Sequence, residues 1–373
     1  MSASETRGTP PLAPSSGAHA GELSKKGLSA GAVGVLGAVV IGVSTIAPAY
    51  TLTASLGPTV SVVGTQVPAI ILVGFIPMLL TAFGYRELNR AMPDSGTSFT
   101  WGVRAFGPWI GWMTGWGLIA ATVIVLSNLA GIAVEFLFLL ISQLSGNPDI
   151  AELAFNPFIN VVVCLLFMLG ATLISYRDMQ TTQKFQYILV TFQVAVLLLF
   201  AVVAIVKAVS GDAPDPTAFS WSWFNPFEVP TFSAFAAGLS LSIFIFWGWD
   251  VVLTMNEETK NPAKTPGRAA MLTVVIVVSL YLLLSIGLIM FAGVGTGPLG
   301  LANEDISANV FFALSDPILG PLAFLVSLAV LSSSAASLQS TAVGPARTLL
   351  AMGHYGALPA KFARVSPRFF TPG

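Results

Sequence analysis

A run of small and polar residues interrupts the first long apolar segment of the chain: Gly42-Val43-Ser44-Thr45-Ile46-Ala47-Pro48. Proline lacks an N–H group and its ring clashes with the preceding helical turn, so a helix should break just before Pro48. The same proline suits the first turn of a second half-helix, with the hydroxyl of Ser44 or Thr45 available as its cap. The segment therefore predicts two short helices in series.

A later apolar segment carries a matching interruption: Phe246-Trp247-Gly248-Trp249-Asp250. Gly248 permits unwinding, and Asp250 can cap the half-helix that follows. A simple kink at each site is the alternative, since membrane helices tolerate Pro and Gly. Paired interruptions in corresponding positions, however, are typical of binding sites in transporters. Free N–H groups there suit a carboxylate and free carbonyls suit an ammonium or Na⁺, so we expect a small polar solute with one or both groups.

The rest of the chain has the composition of a membrane protein. Of its 373 residues 55% are hydrophobic and 9% are charged, whereas soluble domains carry about 25% charged residues. Eight apolar segments are candidate membrane spans: 31–57, 66–84, 109–143, 157–175, 185–206, 233–254, 269–292 and 319–344. Because a backbone in lipid must satisfy its own hydrogen bonds, and these segments do not alternate polar and apolar residues, we predict an all-α polytopic membrane protein embedded in the lipid bilayer.

Charge and composition exclude several other classes of protein. A net charge of −1 gives no basic face for nucleic acid. One cysteine, Cys164, excludes a disulfide framework and a Cys-rich metal site, and with two histidines, His19 and His354, we do not expect a His-clustered metalloenzyme. The sequence shows no pattern that pairs a nucleophile with a general base. We therefore predict neither an enzyme nor a resident metal or organic cofactor.

The basic residues determine the predicted orientation. They occupy the N-terminal tail and the loops after the second, fourth, sixth and eighth spans, and Lys207 alone of the 16 Lys and Arg residues falls on the other side. By the positive-inside rule both termini are cytoplasmic. Residues 1–29 are rich in Ser, Gly, Ala and Pro and lack an apolar core, which predicts a disordered cytoplasmic tail and no cleaved signal peptide.

The second interruption continues into a distinctive sequence, Asn256-Glu257-Glu258-Thr259-Lys260-Asn261-Pro262. Together the two runs resemble the F-x-G-[FW]-[DE]…E-E-x-K-N-P signature of the amino acid–polyamine–organocation (APC) permeases. Further stretches are similar to the same family: Tyr85-Arg86-Glu87-Leu88, Phe106-Gly107-Pro108, Gly115-Trp116, Met352-Gly353-His354-Tyr355-Gly356-Ala357-Leu358-Pro359 and Thr371-Pro372. The resemblance extends from about residue 30 to the C-terminus.

The resemblance implies a LeuT-type fold of two inverted repeats, of which residues 30–208 would form the first and residues 209–373 part of the second. Members of the family that the chain resembles usually have about twelve spans, and we expect this chain to hold about eight, as if truncated after the eighth. The resemblance also places substrate at the two breaks. Backbone amides there would bind its carboxylate, at Ser44, Thr45, Ile46 and Ala47, beside Gly42; carbonyls around Phe246, Trp247 and Trp249 would bind its amine.

Five side chains are candidates for ion coupling or cation binding. Gln193 occupies the position where several family members have a lysine, and it supplies no titrating charge. Ser333 and Ser334 could join carbonyls of the first span around Na⁺, or could simply allow close helix packing. Glu135 faces either the outer interface or an ion pathway, and Asp250 either caps its half-helix or contacts a substrate cation. The coupling ion would be Na⁺ or H⁺.

The resemblance therefore implies a secondary active transporter of amino acids, working by alternating access in the plasma membrane. A transporter of polyamines or other organic amines is the alternative within the same class. A channel-like or sensor protein with re-entrant segments is the alternative from another class. For either kind of transporter we expect the partners to be a small-molecule substrate and the lipid bilayer.

Overall fold

A computed structural model describes residues 24, 26–177 and 179–372 of the chain. Of the tail predicted at residues 1–29, residues 1–23 and 25 thus lie outside the described residues. Six segments in the described part are long and apolar enough to cross a membrane: Val35–Ala91, Pro108–Ser145, Pro157–Ser175, Gln180–Ser210, Thr265–Ala292 and Phe324–His354. No sheet forms among the described residues, and the chain is an all-helical, multi-pass membrane protein.

The principal helices, in chain order, are α1 (Val35–Ile46), α2 (Pro48–Val63), α3 (Val67–Ala91), α4 (Ser98–Phe106), α5 (Pro108–Ser145), α6 (Pro157–Ser175), α7 (Met179–Ser210), α8 (Phe232–Phe244), α9 (Val251–Thr254), α10 (Thr265–Ala292), α11 (Val310–Leu319) and α12 (Phe324–His354). Single turns of helix at Asp149–Glu152 and Glu304–Ser307 lie in the connections. Both broken segments of the sequence therefore appear as pairs of helices, α1 with α2 and α8 with α9.

Seven of the eight predicted spans overlap the six long apolar segments, whereas the predicted span 233–254 contains only the short helix α8 and the single turn α9. The first two spans form one long apolar segment, because only the short turn Gly64–Gln66 separates α2 from α3. Helices α3 and α12 continue past the predicted ends, to Ala91 and His354. Apolar content marks only the part of a helix inside hydrocarbon, whereas residues such as Glu, Arg and Leu favour helix beyond it.

The start of α6 agrees with the sequence because its capping chemistry is local. The Asn156 side chain accepts hydrogen bonds from the N–H groups of Phe158 and Ile159, at 3.1 and 3.3 Å. Pro157 follows at the first helical position, where its missing N–H costs nothing. These two residues fix the predicted start of the 157–175 span.

Helices α10 and α12 hold the broken segments in the interior. They are the most enclosed of the six apolar segments: in the most apolar 18-residue stretch of each, 61% and 72% of the residues are buried. Helix α12 packs along α5, α10 packs along α3 and α7, and α1 contacts both α10 and α12. The serines and alanines of α12 allow this close approach. The break after α1 is thus buried between two central helices.

Candidate functional site

The first predicted break is present at Ala47. Helix α1 ends at Ile46, α2 begins at Pro48, and Ala47 between them adopts the left-handed conformation with φ 56° and ψ 61°. Such a conformation costs an L-residue about 1–2 kcal/mol, so surrounding contacts must hold it. Pro48 at the first position of α2 disfavours continuation of the preceding helix, and the break lies where the sequence predicts it.

The predicted cap on α2 by Ser44 or Thr45 is wrong. No side chain caps α2. Both residues belong to the last turn of α1, and the Thr45 hydroxyl donates to the Ile41 carbonyl of its own helix at 2.8 Å. A hydroxyl one turn from the end of a helix bonds back along that helix more readily than it reaches the next one.

The amides available at this break lie at the start of α2. The first bond within α2 runs from the Thr51 N–H to the Ala47 carbonyl at 2.9 Å. The N–H groups of Ala49 and Tyr50 therefore have no partner within the helix, and both residues are buried. Residues 44–46 instead form the last turn of α1, whose own hydrogen bonds use their N–H groups. An anion held here by backbone amides would sit at the N-terminus of α2.

The second predicted break covers residues 245–250 and touches the first. Helix α8 ends at Phe244 and α9 begins at Val251. Gly248 between them has φ 106°, and a Cβ placed on it would lie 2.9 Å from Thr45 Cγ2 and 3.2 Å from the Thr45 carbonyl oxygen. Both the backbone conformation and the close approach require glycine. The fold thus brings the two interruptions into direct contact.

Tyr281 of α10 connects the two breaks, and sequence reasoning missed it. Its hydroxyl donates to the Ile245 carbonyl at 2.8 Å and lies 2.5 Å from the Thr51 hydroxyl in the first turn of α2. Its ring packs on Phe246 with centroids 5.6 Å apart. A lone tyrosine inside a long apolar span was the available signal, because its buried hydroxyl needs a partner.

Two serines of α12 bind the end of α1, but they are not the predicted pair. The Ser337 hydroxyl donates to the Thr45 carbonyl at 2.9 Å. The Ser340 hydroxyl donates to Ser44 Oγ at 3.2 Å and accepts from Thr45 Oγ1 at 3.1 Å. Helix α12 therefore holds the first break through residues one to two turns beyond Ser333 and Ser334.

The predicted ion ligands Gln193, Ser333 and Ser334 have unused polar atoms. All three residues are fully buried. Both amide atoms of the Gln193 side chain, and both serine hydroxyls, have no hydrogen-bond partner among the described residues. Leaving such a group unpaired costs about 1–3 kcal/mol. These side chains therefore offer donors and acceptors that water or a cation could use.

The two acidic candidates lie in different settings. Asp250 precedes α9, but its carboxylate does not cap that helix, so the predicted cap is wrong. Helix α9 is a single turn, which gives a cap little to stabilise. Glu135 of α5 accepts a hydrogen bond from Asn309 Nδ2 at 2.5 Å and so ties α5 to the residue before α11. Within the described residues no group of three or more His, Cys, Asp or Glu side chains could hold a metal ion.

The aromatic residues of the second break divide by exposure. Phe246 is fully buried against Tyr281, and Trp249 packs edge-on against Tyr85 with centroids 5.3 Å apart. Trp247 is half-buried. Phe246 and Trp249 thus pack in the core, whereas the side chain of Trp247 remains partly accessible at this break.

A buried ion pair follows the second break. Arg347 of α12 donates from Nε and Nη2 to the two carboxylate oxygens of Glu258, at 2.5 and 2.9 Å. Their side chains are 2% and 0% exposed. The Val33 N–H donates to the Glu258 carbonyl at 2.9 Å, which joins the segment before α1 to the same place. This forked arrangement is the strong form of an ion pair.

A second ionic cluster lies beside it, with Lys26 shared between two carboxylates. Its ammonium is 2.7 Å from Asp94 and 2.5 Å from Glu257. Tyr355 donates to Asp94 at 2.6 Å, and the Gly96 N–H donates to the same carboxylate at 2.8 Å. Burial alone raises the pKa of Asp94, but the Lys26 charge and these hydrogen bonds outweigh it and lower the pKa overall. The sequence shows Glu257 and Glu258 but not their partners.

Comparison with known proteins gives a consistent group of similar sequences. A family model described as "Amino acid permease" matches residues 33–372. A methylthioribose transporter of Bacillus subtilis is 29% identical over 79% of this chain and 60% of its own length. A branched-chain amino acid permease of Lactococcus lactis is 26% identical over 82% of this chain and 64% of its own length. A vacuolar cationic amino acid transporter of Arabidopsis thaliana is 27% identical over 79% of this chain and 47% of its own length. The chain thus spans less than two thirds of each relative.

Proposed function

Because the chain belongs to the amino acid permease family, we propose that it acts as a secondary active transporter of amino acids in the plasma membrane, and not as an enzyme. The observation that carries the proposal is the contact of Gly248 with Thr45, which joins two broken helices at one buried place. Helices interrupted in this way form the substrate sites of transporters. Two of the similar proteins are named for amino acid transport. Membership of the family agrees with the resemblance in the sequence.

We propose that the architecture is the LeuT type, with residues 30–208 as the first inverted repeat and residues 209–373 as part of the second. The pair α1 and α2 would then correspond to the pair α8 and α9. The support is that each pair is an apolar segment interrupted near a glycine or proline, and that the interruptions meet. Alternating access would move the two repeats relative to each other around this point.

For the substrate we propose a zwitterion held by both breaks. Its carboxylate would accept from the N–H groups of Ala49 and Tyr50 at the positive end of α2. Its ammonium would bind carbonyls around Phe246, Trp247 and Trp249, since the neighbouring Ile245 carbonyl is already used by Tyr281. The predicted residues Gly42, Ser44, Thr45, Ile46 and Ala47 would then form the wall beneath the carboxylate.

Transport of a polyamine or another organic amine is the second candidate. Asp250 favours it, because its carboxylate lies in the second break and is not used as a cap. A carboxylate in a membrane segment is costly unless it has a cationic partner. A channel-like or sensor function is the third possibility, and its kinetics differ from those of a carrier.

Counterflow in liposomes tests the proposed function. Liposomes containing the purified protein and loaded with an unlabelled neutral amino acid should accumulate the same labelled amino acid transiently, and uptake should saturate. Loading with putrescine should give no accumulation of the labelled amino acid. Flux that does not saturate and shows no counterflow would contradict a carrier, and counterflow with putrescine alone would favour the amine reading.

The same liposomes test the coupling ion, for which Na⁺ and H⁺ are the candidates. We expect uptake to persist when choline replaces Na⁺ and to respond to a pH gradient, through Asp250 or Glu135. The reason is that Ser337 and Ser340, the hydroxyls of α12 that face α1, are already paired with α1. Loss of uptake in choline, restored by Na⁺ and weakened by Ser333→Ala, would instead establish sodium binding at the unpaired serines and Gln193.

We also propose that the N-terminus is cytoplasmic, as the distribution of Lys and Arg predicts. In a Cys164→Ser background, cysteines at the exposed residues Asp149 and Asp212 should react with an impermeant thiol reagent outside intact cells. Cysteines at the exposed residues Lys260 and Lys361 should react only after permeabilisation. The opposite labelling pattern would overturn the orientation. Glu258 is unsuitable as a reporter because it is buried against Arg347.

A further inference from the structure

An apolar groove of about 400 Å³ opens between α5, α6 and α12, near the start of α7. Its walls include Leu137 of α5, Leu166 and Gly170 of α6, Phe185 of α7 and Ala335 of α12. The volume is in the range of pockets that bind small ligands, about 300–1,000 Å³. No residue of the groove belongs to either helix break, so it is separate from the candidate substrate site.

The side-chain amide of Gln339, the polar residue that lines the groove, already forms hydrogen bonds within the protein. Its Nε2 donates to Ser175 Oγ at 3.1 Å, and its Oε1 accepts from Gln186 Nε2 at 2.5 Å. The groove therefore presents hydrocarbon to whatever occupies it. A polar solute would have no partner there and would lose its hydration on entry.

The side of the groove formed by α6 faces outward. In the most apolar 18-residue stretch of this helix only 6% of the residues are buried, against 72% for the corresponding stretch of α12. Leu166, which lines the groove, is 61% exposed. In a membrane-spanning helix such a face meets the acyl chains of the bilayer. The groove therefore opens at this outward, apolar side of α6.

Two cations mark one end of the groove. Arg177 follows the groove residue Ile174 by three positions, and Lys184 directly precedes the groove residue Phe185. Both are exposed, and neither forms a salt bridge with an acidic residue in the described part of the chain. Asp178, between them in the sequence, lies outside the described residues. Basic residues between membrane helices at the cytoplasmic surface attract anionic headgroups.

We propose that this groove binds one acyl chain of an anionic phospholipid whose headgroup contacts Arg177 and Lys184. Burying an acyl chain yields little net gain in a bilayer, because the surrounding lipid is equally apolar. Selectivity therefore comes from the shape of the groove and from the headgroup charge. The occupant is a lipid and not a polar metabolite, because the groove is apolar and the charges lie only at its end.

Native mass spectrometry of the purified protein in neutral detergent tests this proposal. With phosphatidylglycerol and phosphatidylcholine of identical acyl chains, we expect one phosphatidylglycerol to be retained, with about a tenfold preference over phosphatidylcholine from the two cations. The preference should shrink as ionic strength rises. Equal retention of the two lipids would overturn the headgroup contact, and a protein dimer without lipid would assign the groove to a second chain.

Groove-filling variants separate specific binding from lipid that merely adheres. Gly170→Leu places a side chain in the groove, and a Cβ at Gly170 meets no atom within 4 Å, so the fold should tolerate it. Gly117→Leu on α5 is the matched control, since its Cβ is equally unobstructed and lies away from the groove. We expect Gly170→Leu to lose the retained lipid and Gly117→Leu to keep it. Equal retention by both variants would refute the proposal.

The headgroup contact has its own pair of variants, which does not depend on filling the groove. Arg177→Gln combined with Lys184→Gln should reduce the retention of phosphatidylglycerol to that of phosphatidylcholine. Lys361→Gln removes another exposed cation from a different loop and should leave the preference unchanged. A preference that survives the double change, or that falls as far in the control, would contradict the assigned contact.

Discussion

Replacing Arg347 with methionine should sharply destabilise the purified protein. The change leaves the Glu258 carboxylate, which is 0% exposed, buried without the guanidinium that neutralises it. Breaking one partner of a buried pair costs about 3–5 kcal/mol. We expect a large fall in the thermal unfolding temperature in detergent, together with weaker association of the segment before α1, whose Val33 N–H binds the Glu258 carbonyl.

The pair can be separated from general effects of substitution by removing both charges. Glu258→Gln with Arg347→Met eliminates the uncompensated charge, so the double variant should unfold at a higher temperature than Arg347→Met alone. Lys361→Met, which removes an exposed cation, should have little effect. An Arg347→Met protein as stable as Lys361→Met would show that the ion pair contributes nothing to the fold.

Replacing Gly248 with alanine should weaken substrate binding by about 30-fold or more. The new Cβ would lie 2.9 Å from Thr45 Cγ2, at a residue whose φ of 106° already disfavours any side chain. Overpacking costs about 1–3 kcal/mol and the backbone strain about 1–2 kcal/mol, so the two breaks must move apart. Equilibrium binding of labelled substrate to purified protein measures the change.

Gly211→Ala is the matched control for this substitution. Gly211 also has a positive φ, of 86°, but a Cβ on it meets no atom within 4 Å. It therefore carries the backbone strain without the contact between breaks. We expect this variant to bind substrate with unchanged affinity. Equal loss in both variants would attribute the effect to strain alone, and no loss in Gly248→Ala would remove the contact from the site.

The sequence predicted those features that depend on a few neighbouring residues. Apolar length indicates membrane helices, Pro48 places the first break because its ring disfavours continuation of the preceding helix, and Gly248 places the second. The start of α6 follows from Asn156 and Pro157 for the same reason. Each of these features is determined within one or two helical turns, so the local sequence suffices.

Contacts between distant segments could not be predicted in this way. The sequence gives no reason to prefer Ser337 and Ser340 over Ser333 and Ser334 as the serines that bind α1. Only the packing of α12 on α1 brings Ser337 and Ser340 into contact with that helix. The free amides lie on α2 and not on residues 44–46, because α1 keeps its helical bonds to Ile46. The register between helices decides both outcomes, and the pattern of residues within one segment does not reveal it.

The partners of charged residues show the same limit. Glu258 and Glu257 stand together in a recognisable motif, yet Arg347 and Lys26, which neutralise them, are 89 and 231 positions away. Asn309 pairs with Glu135 from 174 positions away. Burial predicts that each acid needs a partner, but the fold decides which residue supplies it.

We propose that the substrate is a zwitterion whose carboxylate binds the start of α2. The most direct measurement is competition against the labelled amino acid that gives counterflow, bound to purified wild-type protein. The unlabelled amino acid should displace the label completely, whereas its methyl ester, which keeps the ammonium but lacks the carboxylate, and putrescine should displace it at least about tenfold less well, because a charged hydrogen bond to the helix N-terminus is lost. Displacement by the ester or by putrescine as effective as that by the amino acid itself would contradict the account.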